Sequence, residues 1–553
     1  MSVPVNQIKS ELRLLPHQES ALEWMEKRET SKGLLCGGVL GMKMGLGKTF
    51  TTLSQIVKVR NSLDEGEREP TLVICPKTAI YTWKNEIEKF YGSSLKILIY
   101  RKDETKLDLL TLDILLDFDI VLTNYEYVRS LANKLKIVNK VAILDEYDRI
   151  IGMNVPLSPP KKDLKGESLI FSVNWFRIVA DESHNFANHK TSLWQSMMCI
   201  CGRRRWCLTG TPIRNYGDDL YSQFMWLGYK SERFDYKTFS KLNLSQYLNY
   251  VDYEKADVKL PEVFHQRIPI KLAERQAEMY NYYLNCARQA YKDFIIGTKN
   301  FSNVLTLFLR LGQVCIAPFT ITPSSQRGHE ITKEEMDEYL ISQKELKRSN
   351  PGLVEWLHTR DGSSGLEAEK IKRAIEIITS IPPGEKVVVF TMFKRVIDLL
   401  QSKLNLASEG NEGNSIIIDG DITGKMRDLS LNSFKNSPKH NVLFISYKIG
   451  CESLNLTEAN HLILMEPWWC PAVVEQAKAR CHRMGQNKDT HIYELFIEEV
   501  ENSKSGSIET HIVDLCNKKL ELAANYLEKG YAKKGKEGGA GINADMMRDI
   551  LFD

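Results

Sequence analysis

No two cysteines in this chain are spaced as CxxC, and the 11 that occur are scattered, with only Cys199 and Cys201 close together. That spacing excludes a thioredoxin-like redox motif and leaves no Cys/His cluster at zinc-ligand distances, so the thiols read as reduced core residues and no zinc is expected. No apolar run approaches the roughly 20 residues that span a bilayer, and the opening MSVPVNQIKSELRLLPHQ lacks the apolar core of a signal peptide. The expectation is an intracellular protein with no membrane partner. Net charge is scarce too: 74 Lys and Arg against 71 Asp and Glu leave +3 over 553 residues. Phosphate binding depends on where cations cluster rather than on so small an excess, so charge alone does not point to nucleic acid. Repeats at solenoid periods are also absent.

What is present is the balance of an ordinary globular chain, 43% hydrophobic and 26% charged, long enough for several domain-sized units. Short apolar runs ending in polar or turn residues recur at 71–76 (TLVICP), 120–124 (IVLTN), 176–180 (FRIVA) and 205–209 (RWCLT). Such runs read as parallel strands buried on both faces. Between them lie helical patterns, such as Thr78 to Phe90 with Ile80, Trp83, Ile87 and Phe90 on one side. A second series follows at 386–391, 415–419, 441–446, 461–466 and 491–496. Alternating strands and helices predict an α/β fold of two doubly wound parallel-sheet lobes with helical insertions. The boundaries read as a first lobe over 1–232 with an insertion at about 131–170, a helical connection and insertion over 233–365, a second lobe over 366–528, and a tail over 529–553. In that tail KKGKEGGAG (533–541) reads as a flexible hinge before an apolar helix from Ala544 to Phe552.

Two segments carry chemistry. In GGVLGMKMGLGKT (37–49), Gly45 and Gly47 precede Lys48 and Thr49, after a short apolar strand and ahead of a helical pattern. Amides freed by glycine curl around phosphates, a lysine reaches the β and γ phosphates, and a threonine hydroxyl holds Mg²⁺. The strict GxxxxGK[ST] pattern fails, because Met42 stands where the first glycine belongs and Gly41 sits one residue early. A phosphate loop also needs a strand ending in acids, one for Mg²⁺ and one to orient the attacking water. VAILDEYD (141–148) and RIVADESH (177–184) both qualify. The second is preferred, since TGT at 209–211 closes a further strand downstream and His184 can couple the nucleotide site to it. Asp145 and Glu146 then read as a solvated part of an insertion.

With these residues in place, the sequence resembles the Swi/Snf (sucrose non-fermenting) family of helicase superfamily 2, whose fold is a pair of RecA-like lobes. The motifs come in order: LLPHQESALEWM (14–25), the phosphate loop, ICPKTAIYTWKNEIEKF (74–90), LTNYEYV (122–128), ADESH (180–184), RRWCLTGTPIRN (204–215), VVVFTMF (387–393), FISYKIGCESLNLTEA (444–459) and QAKARCHRMGQ (476–486). LLPHQ, ALEWM, RRWCLTGTPIRN and the terminal ADMMRDILF look closest to the helicase-like transcription factor and transcription termination factor subgroup. Many members of that subgroup carry a zinc-binding RING insert; here only Cys286 and Cys315 lie between Pro212 and Lys386, too few for one. The chain looks like a pared-down motor of the kind some large DNA viruses encode. Met42 and Lys43, where the family has acids, and Cys451 and Ser453, in place of glycines, are departures that bear on turnover.

The resemblance implies an ATP- and Mg²⁺-dependent, DNA-dependent ATPase that translocates on double-stranded DNA and displaces chromatin, polymerase or repair complexes. It places the protein in the nucleus, or at sites of viral DNA replication or transcription. A strand-separating DNA or RNA helicase and a non-catalytic DNA-binding scaffold are the alternatives. By resemblance Gln18 reads adenine, and Met42, Lys43, Met44, Gly45, Leu46, Gly47, Lys48 and Thr49 grip phosphate. Thr49 and Asp181 hold Mg²⁺, while Glu182 manages the water. His184, Thr209, Gly210, Thr211 and Gln476 couple the motifs. Arg480 and Arg483, three apart on one helix face, reach the γ-phosphate. Lys77, Thr78, Asn124 and Tyr125 are assigned to the DNA backbone, since a tracking motor needs sequence-independent phosphate contacts. Trp468 and Trp469 are read as core packing rather than as a DNA stack.

Overall fold

The structure is a computed structural model that describes residues 13–31, 36–138, 142–144, 150–153, 166–213, 217–228, 246–321, 344–357, 368–407, 414–420, 422, 424–450, 454–501, 506–529 and 544–552. Two compact units emerge, one comprising Met1–Lys259 and Glu521–Gly539, the other Leu260–Leu520 and Ala540–Asp553.

The first unit is built on a seven-stranded sheet of β1 (Gly37–Met42), β2 (Thr71–Cys75), β3 (Ile97–Ile99), β4 (Ile120–Asn124), β5 (Arg177–Asp181), β6 (Arg205–Thr209) and β7 (Leu248–Val251). They lie in the order β7-β1-β6-β5-β2-β4-β3, and every neighbouring pair is parallel. Adjacent strand residues point to opposite faces, and each face has its own core. Leu72, Ile74, Val121, Ile178 and Cys207 enter one; Val73, Cys75, Leu122, Val179 and Leu208 enter the other. Helices α1 (Pro16–Thr30), α2 (Lys48–Ser62), α3 (Ala79–Tyr91) and α4 (Tyr125–Lys134) belong to this unit. Helix α3 buries Ile80, Trp83 and Ile87 as its periodicity predicts, while Phe90 is half-buried against Phe50. A buried carboxylate ties α1 to the sheet: Arg177 donates from Nε and Nη2 to Glu29 at 2.6 Å each, and Trp206 Nε1 donates to it at 2.7 Å. Burial raises the Glu29 pKa, but Arg177 outweighs that and holds the carboxyl below its usual range.

The second unit repeats the plan with β8 (Val263–Ile270), β9 (Val387–Thr391), β10 (Ser415–Ile418), β11 (Val442–Ser446), β12 (His461–Leu464) and β13 (Thr490–Ile497), ordered β8-β13-β12-β9-β11-β10 and again all parallel. Its helices include α5 (Glu274–Ile296), α6 (Phe301–Ile316), α7 (Glu369–Ser380), α8 (Pro471–Cys481), α9 (Ile508–Lys529, whose residues from Glu521 on are counted with the first unit) and α10 (Ala544–Phe552).

One reading of the sequence changes here. The units part at Lys259/Leu260, not at 232, because β7 joins the first sheet and β8 edges the second, both inside the stretch read as helical connection. The apolar helix expected from Ala544 to Phe552 forms α10 and enters a core: Met547, Ile550 and Leu551 are buried in the second unit, and Arg288 Nε donates to Leu551 O at 2.6 Å. The hinge at 533–541, together with Asp145, Glu146, Cys451 and Ser453, lies outside the described residues. Trp469 is half-buried against the second core, its ring centroid 6.1 Å from that of Phe308, in keeping with the packing role. Among the described residues no helix is long and apolar enough to cross a membrane.

Candidate nucleotide site

Strands β1, β6 and β5 are neighbours, and register sets Gly41 against Thr209 and Leu208 against Asp181. The loop after β1, the TGT after β6 and the Asp-Glu after β5 therefore open on one edge of the sheet, the carboxyl edge where α/β folds bind ligands.

In the loop, Gly45 and Gly47 take φ of +88° and +86°, conformations that cost glycine nothing. Gly47 also caps α2, and a Cβ there would stand 2.2 Å from Gln18 Nε2. Met42, Met44 and Leu46 bury their side chains, Met42 as the last residue of β1. The side chains of these three residues belong to the core, so within 42–49 they offer the site only their backbone. Lys48 Nζ donates to Met42 O at 3.0 Å, folded over its own loop, and Thr49 is half-buried in the first turn of α2. A support missed from sequence flanks the loop: Lys43 N bonds to Val251 O at 2.9 Å and Tyr253 Oη donates to Met44 O at 2.6 Å. Lys43 itself is exposed, its ammonium 5.8 Å from the Tyr253 ring centre.

Gln18 is tied to the loop rather than standing clear of it. Its Nε2 donates to Leu46 O at 3.0 Å and its Oε1 accepts from Leu15 N at 3.0 Å, while His17 Nε2 lies 3.0 Å from the same Leu46 carbonyl. One N–H and one lone pair of the amide stay uncommitted by these bonds, enough for one base edge.

Asp181 is held on three sides. Trp83 Nε1 donates to Oδ2 at 2.8 Å, Glu182 N donates to Oδ1 at 2.9 Å, and Tyr125 Oη donates to the main-chain oxygen at 2.6 Å. Burial first, then the neighbouring Glu182 charge, push its pKa up to about 6 against the Trp83 hydrogen bond and the Lys48 ammonium. Glu182 takes the left-handed region, φ 50° and ψ 51°, and its Oε2 is buried without a hydrogen-bond partner. His184 Nδ1 lies 3.1 Å from Thr209 Oγ1 and 3.3 Å from Glu182 Oε2, and Thr209 Oγ1 also accepts from Thr211 N at 3.0 Å. Gly210 is buried beside Met44 and Lys48, a Cβ there falling 3.6 Å from Lys48 Nζ. Ser183 extends the chain of contacts, donating to Gln223, whose Nε2 donates to Pro212 O.

A divalent ion fits this donor set. Each oxygen of the buried Asp181 carboxylate keeps a lone pair beyond the bonds above, Glu182 Oε2 is buried with only His184 Nδ1 near it, at 3.3 Å, and Thr49 lies in the first turn of the helix that follows the loop.

Two DNA assignments do not survive. Tyr125 is 2% exposed with its hydroxyl on Asp181 O, and Asn124 is 3% exposed with Nδ2 on Glu126 Oε2 at 2.5 Å. Both sit at the β4–α4 junction, where the Tyr125 hydroxyl and Asn124 Nδ2 bond within the fold, while Asn124 Oδ1 is buried without a hydrogen-bond partner. Lys77 is exposed and Thr78 half-buried ahead of α3. In the second unit Arg480 and Gln476 are buried on α8. That helix ends at Cys481 and His482 is extended, so Arg483 does not share the helix face with Arg480; it lies in the turn beyond, with Nη1 3.4 Å from Leu454 O.

A glycine-shaped phosphate loop faced by a carboxylate pair on a doubly wound parallel sheet defines a nucleoside triphosphatase. A profile of the SNF2-related domain matches residues 17–320, more than half of the chain, and one of the helicase conserved C-terminal domain matches 369–485. The chain is 31% identical to "Putative helicase 172L" of Invertebrate iridescent virus 6 over 94% of its own length and 92% of that protein. It is 26% identical to DNA repair protein RAD5 of Candida albicans over 89% of this chain and 56% of that one. It is likewise 26% identical to transcription termination factor 2 of Drosophila melanogaster over 93% and 57%. The chain thus belongs to the SNF2-related family of helicase-like ATPases, and it spans little more than half the length of the latter two relatives.

Proposed function

We propose that this chain couples ATP hydrolysis to movement along double-stranded DNA and thereby displaces or remodels proteins bound there. The observation that carries the reading is the arrangement on one sheet edge of Lys48, the Asp181–Glu182 pair and the His184–Thr209 contact, in a chain that carries both helicase domains in order. In this reading the amides of the 43–48 loop and Lys48 bind the β and γ phosphates, and Thr49 and Asp181 hold Mg²⁺. The ion, when bound, neutralises charge on the phosphate oxygens. Glu182 orients the attacking water, a role its left-handed backbone and buried Oε2 favour. Gln18 reads the base with the part of its amide not committed to the loop. Arg480 and Arg483 stabilise charge at the transferred phosphate, and Gln476 supports them from α8.

His184 and Thr209 pass the state of the nucleotide to the TGT segment, and Ser183 and Gln223 join them. Lys77 and Thr78 supply the DNA-backbone contact. Similarity to a DNA repair protein and a transcription termination factor favours targets among repair or transcription complexes on DNA, in the nucleus or at sites of viral DNA synthesis. Displacement of a third strand from a DNA triplex tests the proposal, since a duplex tracker strips the third strand without opening the duplex. ATP-dependent triplex displacement is expected. Separation of a plain duplex instead would establish a strand-separating helicase.

A further inference from the structure

We infer that Trp83 is a positioning residue for metal-nucleotide binding, its indole N–H fixing the Asp181 carboxylate in the orientation that receives the divalent ion. The inference rests on the assignment of Asp181 to Mg²⁺ and adds a residue from outside the acidic motif. Trp83 lies on α3 and is 1% exposed. Its Nε1, a donor only, can satisfy itself only on an acceptor, and the acceptor here is Asp181 Oδ2 at 2.8 Å, a side chain 98 residues away in sequence. Glu182 N holds the other oxygen. With one bond on each oxygen the carboxylate plane is set, and the remaining lone pairs face the directions left to an ion or its water.

Apolar packing accounts for the ring of Trp83 but not for its N–H, which spends its one donor on a charged group. Tyr125 Oη anchors the adjoining main-chain oxygen from α4, so rotation of the side chain about its own bonds is the freedom that Trp83 removes. Partners of this kind, one bond removed from the metal, typically change metal affinity by about 10- to 100-fold when lost.

The test separates orientation from packing. Trp83→Phe removes the N–H with some ring volume, and 3-benzothienylalanine at position 83 removes the N–H while keeping the bicyclic shape. Mg²⁺ is titrated into protein mixed with a fluorescent ATP analogue, Mn²⁺ binding is followed by electron paramagnetic resonance, and thermal midpoints are recorded alongside. Both variants are expected to weaken the Mg²⁺ and Mn²⁺ midpoints about tenfold or more, with metal-free nucleotide affinity unchanged and the benzothienyl variant as stable as wild type. A wild-type metal midpoint in the benzothienyl variant overturns the inference, with Asp181→Asn in the same assay losing metal dependence if the site assignment itself is sound. Absence of any Mg²⁺ dependence in the wild type overturns both.

Discussion

Glu182 is one of three non-glycine residues with positive φ among the described residues, and such backbone costs about 1–2 kcal/mol. The turn is kept by Asn185, which donates to Glu182 O from both its main chain and its side chain. Placement of the carboxylate at that cost accords with a role at the reacting centre. Glu182→Gln keeps the shape and removes the charge, so hydrolysis should fall by orders of magnitude while nucleotide still binds. Glu146→Gln, in the rival acidic segment, should leave turnover near wild type. Steady-state ATPase and analogue binding on both variants check this, and the opposite pattern would move the site.

A second buried acid yields a pH prediction. Glu466 Oε1 accepts from Thr391 Oγ1 and Met392 N, its Oε2 is buried without a hydrogen-bond partner, and burial first of all pushes its pKa up to about 8. A folded-state value above the unfolded 4.5 means the folded protein binds the extra proton between those limits, so this group's contribution is full below pH 4.5 and is lost as pH rises through 8. Glu466→Gln should be nearly neutral at pH 5 and raise the thermal midpoint of the second unit at pH 8.5. An unchanged difference between the two pH values would contradict this. None of it was readable from sequence, where Glu466 is simply the end of an apolar run. Asp181, Glu182 and Lys48 were readable because their chemistry is local to short motifs. The Trp83 and Tyr125 contacts to Asp181 join residues far apart in sequence, and for that reason Tyr125 was misassigned to DNA.

Among elements, the strands show what periodicity can and cannot convey. The runs at 71–76, 120–124 and 205–209 match β2, β4 and β6 within a residue, because a parallel strand covered on both faces must be apolar throughout. Edge strands lack that constraint: β8, with Val263 to Arg267 exposed, and the short β7 hid within a stretch read as helical. A buried ion pair also joins elements of the second unit. Lys370 Nζ of α7 meets both Glu509 oxygens, at 2.7 and 2.6 Å, and donates to Met465 O after β12 at 3.0 Å. Removal of one partner strands a charge in the core, so Glu509→Ala should cost about 3–5 kcal/mol, whereas Lys370→Met with Glu509→Leu should be much closer to neutral. Denaturant unfolding of the wild type, Glu509→Leu, Lys370→Met and the double variant measures the coupling, with Glu509→Ala alongside; an additive double variant would show that the pair is not coupled.

For the whole molecule, the proposed function assigns Arg480 and Arg483 to charge stabilisation at the transferred phosphate. Supplying an arginine finger is worth roughly 10³ to 10⁵ in rate in other NTPases. Arg483→Ala should therefore keep nucleotide and DNA affinity within a few-fold yet lose most of its DNA-stimulated ATPase. Arg483→Lys should not restore it, because an ammonium lacks the planar fork. Full stimulation in Arg483→Ala would confine the chemistry to the first unit. The central claim, a motor that tracks duplex DNA, is tested most directly by steady-state ATPase measured at fixed salt without nucleic acid and with double-stranded DNA, single-stranded DNA or RNA of equal length. The account predicts the largest stimulation by duplex DNA, little affected by its sequence; equal or greater stimulation by RNA or single strands, or none by duplex, would contradict it.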